Sequence, residues 1–360
     1  MSIHFHKLVV KEIKRETPEC VSVLFEIPNE VKQEFDFKHG QSLTMRIFMN
    51  DDEIRRTYSI CGSPLDNEWR VAIKKQEGGL FSTFANEKLK PRDVLEVMPP
   101  VGKFYTELHP DNKKNYVAFA AGSGITPVIS IIKTTLRTES NSQFTLVYGN
   151  KNKNSIIFKE ELEGLKDKFI DRFRIIHILS REKADAPINN GRIDLDKLNN
   201  LKKLIDYETV DEYFICGPEA MIFCVKDFLE QAGIEAKKIH FELFTTPGET
   251  QKTKVKSKKS KRREEGPTSK ISVKLDGIMF DFDLAFDGEP ILDAALKQGA
   301  DLPFSCKGGV CCTCKAKLIE GEVDMEVHWG LEDEEISQGY ILTCQSHPKT
   351  ERVIVDYDIK

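Results

Sequence analysis

The sequence predicts a multidomain chain: an antiparallel β-barrel, then a doubly wound α/β parallel sheet, then a smaller α+β domain. Three observations carry this. Up to residue 108, short Val-, Ile- and Phe-rich segments are separated by turn signals, the pattern of a small barrel. Over residues 109–246 such segments alternate with helical patterns, as in a parallel sheet with crossover helices. A polar, basic run over 247–268 then separates off residues 269–360, which open on a hairpin signal and continue into a cysteine-rich loop. At 360 residues the chain is long for one core, and more than one domain is expected.

Composition narrows the classes. Hydrophobic residues make up 40% and charged residues 31%, with a net charge of −5. That argues against a nucleic-acid partner. The opening MSIHFHKLVV lacks a basic region ahead of an apolar core, so no signal peptide is expected. Val117 to Ile132 is uncharged, yet it is broken by Gly122, Gly124 and Pro127 and is too short to span a bilayer. No transmembrane segment is expected. Of nine cysteines, Cys20, Cys61, Cys216, Cys224 and Cys312 show no disulfide-like framework. This points to a reducing, cytoplasmic setting.

In the first part, strands are expected at His4–Glu12, Val21–Ile27, Ser42–Phe48, Thr57–Ile60, Trp69–Lys75 and Val94–Pro99, with one helix over Gly79–Lys88. Two stretches carry chemistry. In Arg55-Arg56-Thr57-Tyr58-Ser59-Ile60, strand alternation puts Arg56 and Tyr58 on one face. An arginine pairs with pyrophosphate and a tyrosine lies against a flat ring. In Gly78-Gly79-Leu80-Phe81-Ser82-Thr83, glycines before a helix leave free amides where phosphate binds. Each stretch alone equally fits an ordinary strand or turn.

In the second part, strands are expected at Tyr116–Ala121, Phe144–Gly149, Phe173–Ser180, Asp211–Cys216 and Ile239–Phe244. Helices are expected at Thr126–Arg137, Phe158–Lys168, Asp194–Leu201 and Pro218–Gln231. The first strand runs into Gly122-Ser123-Gly124-Ile125-Thr126-Pro127. This falls short of the full dinucleotide fingerprint, but Gly122 and Gly124 still let a pyrophosphate approach the helix start. Cys216-Gly217-Pro218 ends a later strand on the same carboxyl edge, where ligands bind in such sheets. By itself Cys216 reads first as a small buried core residue.

Together these stretches, with Val97 to Phe104 and His240-Phe241-Glu242-Leu243-Phe244, resemble the ferredoxin–NADP reductase family. The resemblance implies that Arg56 and Ser82 hold the pyrophosphate of FAD, beside Gly79 and Leu80. It implies that Tyr58 lies on the isoalloxazine and that Ser59 hydrogen-bonds near the reactive flavin nitrogen. Some relatives of this domain order hold FMN instead. Gly122, Gly124, Thr126, Gly217 and Pro218 would meet the nicotinamide dinucleotide, and Cys216 its reacting ring. Glu242 and Phe244 would flank the flavin, Phe244 covering its face until nicotinamide displaces it. Ser180-Arg181 follows the third strand of the sheet. In NADP-dependent relatives such a pair grips the 2′-phosphate, which favours NADPH, with NADH possible.

The basic run, dense in Lys and Arg between Lys252 and Arg263, has no apolar period. A solvated flexible linker is expected; a docking patch for an acidic partner or a membrane surface is the sharper alternative. Beyond it, strands are expected at Ile271–Leu275, Ile278–Leu284, Lys315–Ile319, Ile341–Gln345 and Arg352–Tyr357, with a helix at Pro290–Gln298. Asp276-Gly277 marks the hairpin turn. An acidic stretch, Glu320 to Glu335, either steers a basic partner or is a solvated face.

The cysteine loop is the most specific feature. In PFSCKGGVCCTCK, Cys306, Cys311 and Cys314 have the spacing C-x4-C-x2-C, and Cys344 lies in LTCQ far downstream. This is the plant-type ligand pattern for a 2Fe-2S cluster. Gly308 and Gly309 suit a loop that wraps a cluster and turns amides toward sulfur. A four-cysteine zinc site is the alternative, though zinc ribbons carry two short Cys pairs. Cys312 competes with Cys311 as ligand or is a small neighbour. Residues 269–360 resemble plant-type ferredoxins, which implies their β-grasp fold.

A nicotinamide gives electrons in pairs, a 2Fe-2S cluster accepts them singly, and a flavin does both. The domain order resembles oxygenase reductases of the phenylacetyl-CoA epoxidase type. It implies an NAD(P)H-dependent oxidoreductase passing electrons through FAD and the cluster to a terminal oxygenase or another acceptor protein. A membrane desaturase is one alternative acceptor. A non-enzymatic iron–sulfur carrier or sensor is another class, which bound flavin would argue against.

Overall fold

In the computed structural model, residues 4–49, 52–244 and 267–359 are described. The chain divides into two compact units, one spanning Phe5–Phe244 and the other the C-terminal remainder. Most of the expected linker, 247–268, lies outside the described residues.

The first unit begins with β1 (His6–Thr17), β2 (Cys20–Glu26), β3 (Ser42–Met49), β4 (Asp52–Ser59), β5 (Trp69–Lys74), α1 (Leu80–Glu87) and β6 (Val94–Val97). The strands form an antiparallel sheet in the order β4-β3-β6-β1-β2-β5. An antiparallel bridge between Ile60 and Val71 brings its two edges together, so the sheet closes as a barrel. Alternation does the filling: Leu8 and Val10 of β1, Leu43 and Met45 of β3, and Val71 and Ile73 of β5 are all fully buried. Trp69 joins them and donates its indole N–H to the Phe35 carbonyl at 2.6 Å.

Two strands run further than expected. β1 continues past Glu12 to Thr17, because its polar outer face keeps pairing with β2, Lys14 opposite Ser22. β4 begins at Asp52 rather than Thr57. Its charges hide the strand signal, but they are matched across the sheet: Arg46 pairs with Glu53 and Glu96, and Arg55 with Glu53. A 3-10 turn at Asn29–Phe35 has no counterpart among the expected elements.

The unit continues with β7 (Asn115–Ala121), α2 (Ile125–Thr138), β8 (Gln143–Asn150), α3 (Lys159–Lys168), β9 (Phe173–Leu179), α4 (Leu195–Leu201), β10 (Glu212–Gly217), α5 (Glu219–Gln231) and β11 (Ile239–Leu243). All five strands are parallel, in the order β11-β10-β7-β8-β9. α2 packs between this sheet and the barrel. Ser130 Oγ donates to the Gly62 carbonyl at 2.6 Å, Ser63 and Thr134 share a hydrogen bond at 2.9 Å, and Arg137 pairs with Asp66. Burial on both sides explains why Val117–Ile132 lacks charge. Among the described residues, no helix is long and apolar enough to cross a membrane.

The second unit holds β12 (Thr268–Leu275), β13 (Ile278–Ala285), α6 (Ile291–Lys297), β14 (Lys315–Glu320), β15 (Val323–Met325), α7 (Asp333–Ser337), β16 (Tyr340–Leu342), β17 (Ser346–Pro348) and β18 (Arg352–Asp356). The mixed sheet has the order β13-β12-β18-β14-β16, with β12 and β18 parallel. Ile291, Leu292 and Ala295 of α6 pack on Ile271, Val273, Val353 and Val355. Asp276 and Gly277 take φ of 51° and 77°, the paired left-handed turn that asparagine- or aspartate-glycine favours. The expected strand Ile341–Gln345 is corrected. β16 stops at Leu342, and Thr343–Gln345 form a turn closed by Gln345 N–H to Leu342 O at 2.9 Å. That turn carries Cys344 toward Cys314.

Candidate functional site

Three segments far apart in the chain meet at the carboxyl edge of the parallel sheet. Cys216 of β10 lies directly opposite Glu242 of β11. Ser59, ending β4 of the barrel, donates its hydroxyl to Glu242 Oε2 at 3.1 Å, across 183 positions of sequence. Burial pushes the Glu242 carboxyl up to about 7, against the opposing Ser59 hydrogen bond. Burial also pushes the Cys216 thiol up, and the Glu242 charge adds to it. The thiol therefore stays neutral, while the carboxyl exchanges a proton near neutrality. Phe244, just past β11, is 40% exposed.

The glycine turn sits against this group. Gly124 approaches β10 so closely that a Cβ there would lie 2.0 Å from the Cys216 carbonyl oxygen. Gly122 has φ of +55°, and its carbonyl accepts from Tyr148 Oη at 3.0 Å. Thr126 Oγ1 donates to the Ser123 carbonyl at 2.9 Å, pinning the first turn of α2. Pro218 caps α5 directly after Gly217. Two helix starts thus lie side by side at one sheet edge, offering first-turn amides to an anion. Lys74, which no sequence motif marks, brings its ammonium to 3.8 Å from where a Gly122 Cβ would stand.

On the barrel, Tyr58 packs against Phe81 of α1 with ring centroids 5.6 Å apart. This joins the Arg56–Ser59 stretch to the Gly79 turn. Ser82 Oγ accepts from the Gln76 amide at 3.1 Å and donates to the Gly79 carbonyl at 3.2 Å, so it fixes the turn that precedes α1. Leu80 is 58% exposed. Arg56 donates to the neighbouring Arg55 carbonyl at 2.6 Å rather than to Ser82.

At the other end of the same sheet edge, Ser180 and Arg181 are exposed just past β9. Arg181 N–H donates to the Lys151 carbonyl at 2.8 Å, and Gly191 N–H to the Leu179 carbonyl at 2.8 Å. Lys151, whose carbonyl takes the first bond, and Arg192, next to Gly191, are also exposed. Neither belongs to a recognisable motif. Their only signal is adjacency across three loops.

In the second unit the four expected thiols come together, with Cys311 close enough to Cys314 to act on it. Cys306 meets Cys311, and Cys314 meets Cys344. It is Cys311, not Cys312, that faces Cys306. Hydrogen bonds from Cys311 and from the amides of Gly308 and Val310 hold the Cys306 thiol below its ordinary value, against the opposing effect of burial. Gly308 N lies 3.3 Å from its sulfur. Neighbouring thiol and burial push Cys314 up. Gly309, at φ of +73°, passes where a Cβ would lie 2.5 Å from the Val327 carbonyl oxygen. Among the described residues no three His, Cys, Asp or Glu converge on a point that would hold one ion. The C-x4-C-x2-C spacing with a distant fourth cysteine is the plant-type pattern for a 2Fe-2S cluster.

Comparison with known proteins finds three family matches along the chain. Residues 7–105 match the family described as the oxidoreductase FAD-binding domain, 119–227 the oxidoreductase NAD-binding domain, and 274–349 the 2Fe-2S iron-sulfur cluster binding domain. The chain is 44% identical over 357 residues to a component of 1,2-phenylacetyl-CoA epoxidase from Escherichia coli, covering 99% of this chain and 98% of that one. It is 31% identical over 352 residues to the ferredoxin reductase component of 3-ketosteroid-9-alpha-monooxygenase from Rhodococcus rhodochrous, covering 97% and 96%. Among solved structures it resembles phthalate dioxygenase reductase, with a TM-score of 0.59, 23% identity and 98% of each chain covered. That last likeness speaks to the fold.

Proposed function

Because the chain belongs to the ferredoxin–NADP reductase superfamily, among its reductases that join FAD-binding, NAD-binding and 2Fe-2S domains, we propose that it is the reductase component of an oxygenase resembling phenylacetyl-CoA epoxidase. It draws electrons from NADPH and delivers them to that partner protein in the cytoplasm. The domains divide at 1–108, 109–246 and 269–360, with 247–268 as linker. One observation supports this reading above the others: a chain in which Ser59, Cys216 and Glu242 meet also carries four thiols that come together.

The bound groups would supply the redox chemistry, a flavin able to accept the two electrons of one hydride and a 2Fe-2S cluster able to accept one electron at a time. The chain's residues position them. Arg56 would hold the FAD pyrophosphate, beside the α1 start that Gly79, Leu80 and Ser82 shape. Tyr58 lines the isoalloxazine and Ser59 hydrogen-bonds its reactive edge. Phe244 would cover the flavin face until nicotinamide displaces it. Gly122, Gly124, Thr126, Gly217 and Pro218 cradle the nicotinamide dinucleotide, with Cys216 against its ring and Lys74 beside its phosphates. Glu242, near neutral, holds or releases a proton at the Ser59 hydroxyl. Ser180 and Arg181, joined by Lys151 and Arg192, take the 2′-phosphate and favour NADPH. Cys306, Cys311, Cys314 and Cys344 hold the cluster.

The test is Cys344→Ser. The flavin half lies in the separate compact unit Phe5–Phe244, so NADPH-driven ferricyanide reduction should survive while cytochrome c reduction is lost. Retention of both would show that electrons leave without passing the cluster.

A further inference from the structure

Tyr357 follows β18 and is 7% exposed. A buried phenol needs a hydrogen-bond partner. It has one in Thr343 Oγ1, at 2.5 Å. Thr343 is itself fully buried. Its Oγ1 also lies 3.1 Å from the Cys314 carbonyl oxygen, and its backbone N–H reaches the same oxygen at 3.3 Å.

The direction of this chain follows from elementary inventory. A carbonyl oxygen only accepts, and each hydroxyl has one proton to give. Thr343 therefore spends its proton on Cys314, and Tyr357 must donate to Thr343. Hydrogen bonds aligned in this way reinforce one another. The Cys314 carbonyl takes both of its donors from Thr343, and Thr343 is bonded covalently to Cys344.

We propose that Tyr357 and Thr343 form a one-way hydrogen-bond relay that positions the Cys314–Cys344 thiol pair and so sets the properties of the cluster held there. The proposal rests on the reading of these cysteines as cluster ligands. Cys306 and Cys311 come from one loop, which presents them together. Cys314 and Cys344 come from separate segments, joined at this point through Thr343. The relay thus acts where the ligand set is least constrained by sequence. Tyr357 and Thr343 are positioning residues.

The test compares Tyr357→Phe, Thr343→Val and Thr343→Ser in the full-length, cluster-loaded protein. Two readouts are taken: the midpoint potential of the cluster by EPR-monitored titration, and the rate at which an iron chelator bleaches it. Phe and Val break the relay at nearly constant volume, while Ser keeps it. The relay predicts a displaced potential and roughly tenfold faster bleaching for Tyr357→Phe and Thr343→Val, with Thr343→Ser close to wild type. The double variant Tyr357→Phe, Thr343→Val should be no worse than either single one, since both cut the same chain. Wild-type potential and bleaching in the single variants would overturn it, as would additive effects in the double variant or a Thr343→Ser as impaired as Thr343→Val. Wild-type protein isolated anaerobically without iron would instead defeat the underlying reading of the cysteines.

Discussion

Replacing Glu242 by Gln is the most informative single perturbation in the first unit. The carboxyl ordinarily titrates at 4.5 and is carried to about 7 by burial. A carboxyl raised in this way binds its proton more tightly in the folded than in the unfolded chain. Between 4.5 and about 7 the folded state therefore holds more protons, and stability falls as pH rises through that window, levelling off above it. At ~1.4 kcal/mol per pH unit the shift corresponds to at most ~3.5 kcal/mol. Glu242 is partly exposed, and solvent screening brings this to about 1–2 kcal/mol. Gln keeps an acceptor for Ser59 but cannot ionise. Chemical denaturation of the flavin-loaded protein, followed by flavin fluorescence from about pH 5 to about pH 8, should show wild type losing roughly that amount relative to Glu242→Gln. Parallel stability profiles for the two proteins would refute the claim that this carboxyl is held protonated by burial.

Two further outcomes follow from the sheet edge. Gly124→Ala places a Cβ 2.0 Å from the Cys216 carbonyl oxygen, so α2 must shift from β10; a loss of about 1–3 kcal/mol in denaturant unfolding and weakened nicotinamide binding are expected. Lys151→Ala and Arg181→Ala should each raise the KM for NADPH while leaving NADH turnover nearly unchanged, since only the former carries the 2′-phosphate; together they should cost roughly 10–100-fold in steady-state preference for NADPH.

Much of the fold was legible because hydrophobic period and turn chemistry agree locally. The strand–helix alternation from β7 to β11 and the Asp276-Gly277 hairpin are of this kind. Where strands were cut short, charge obscured them: the pairing of Arg46 with Glu53 and Glu96 stabilises β4 only once the sheet exists. The brief strands β15 and β17, three residues each, are too short to show any period. Among the candidate site residues the cysteines stood out by their spacing, which still left Cys312 as a rival to Cys311. The grouping of Ser59, Cys216 and Glu242 needed family resemblance, since no local signal links residues 183 apart. Lys74, Lys151, Arg192 and Tyr357 were missed for a related reason. Each is placed by a neighbour that only the folded chain supplies.

The central claim is that one chain carries electrons from a nicotinamide, through flavin, to an iron–sulfur cluster. Anaerobic addition of NADPH to the purified protein, followed by visible absorption and EPR, tests it most directly. The account predicts that the flavin band bleaches and that the spectrum of a reduced 2Fe-2S cluster then appears. A bleached flavin beside a cluster that stays oxidised, although dithionite can reduce it, would contradict it.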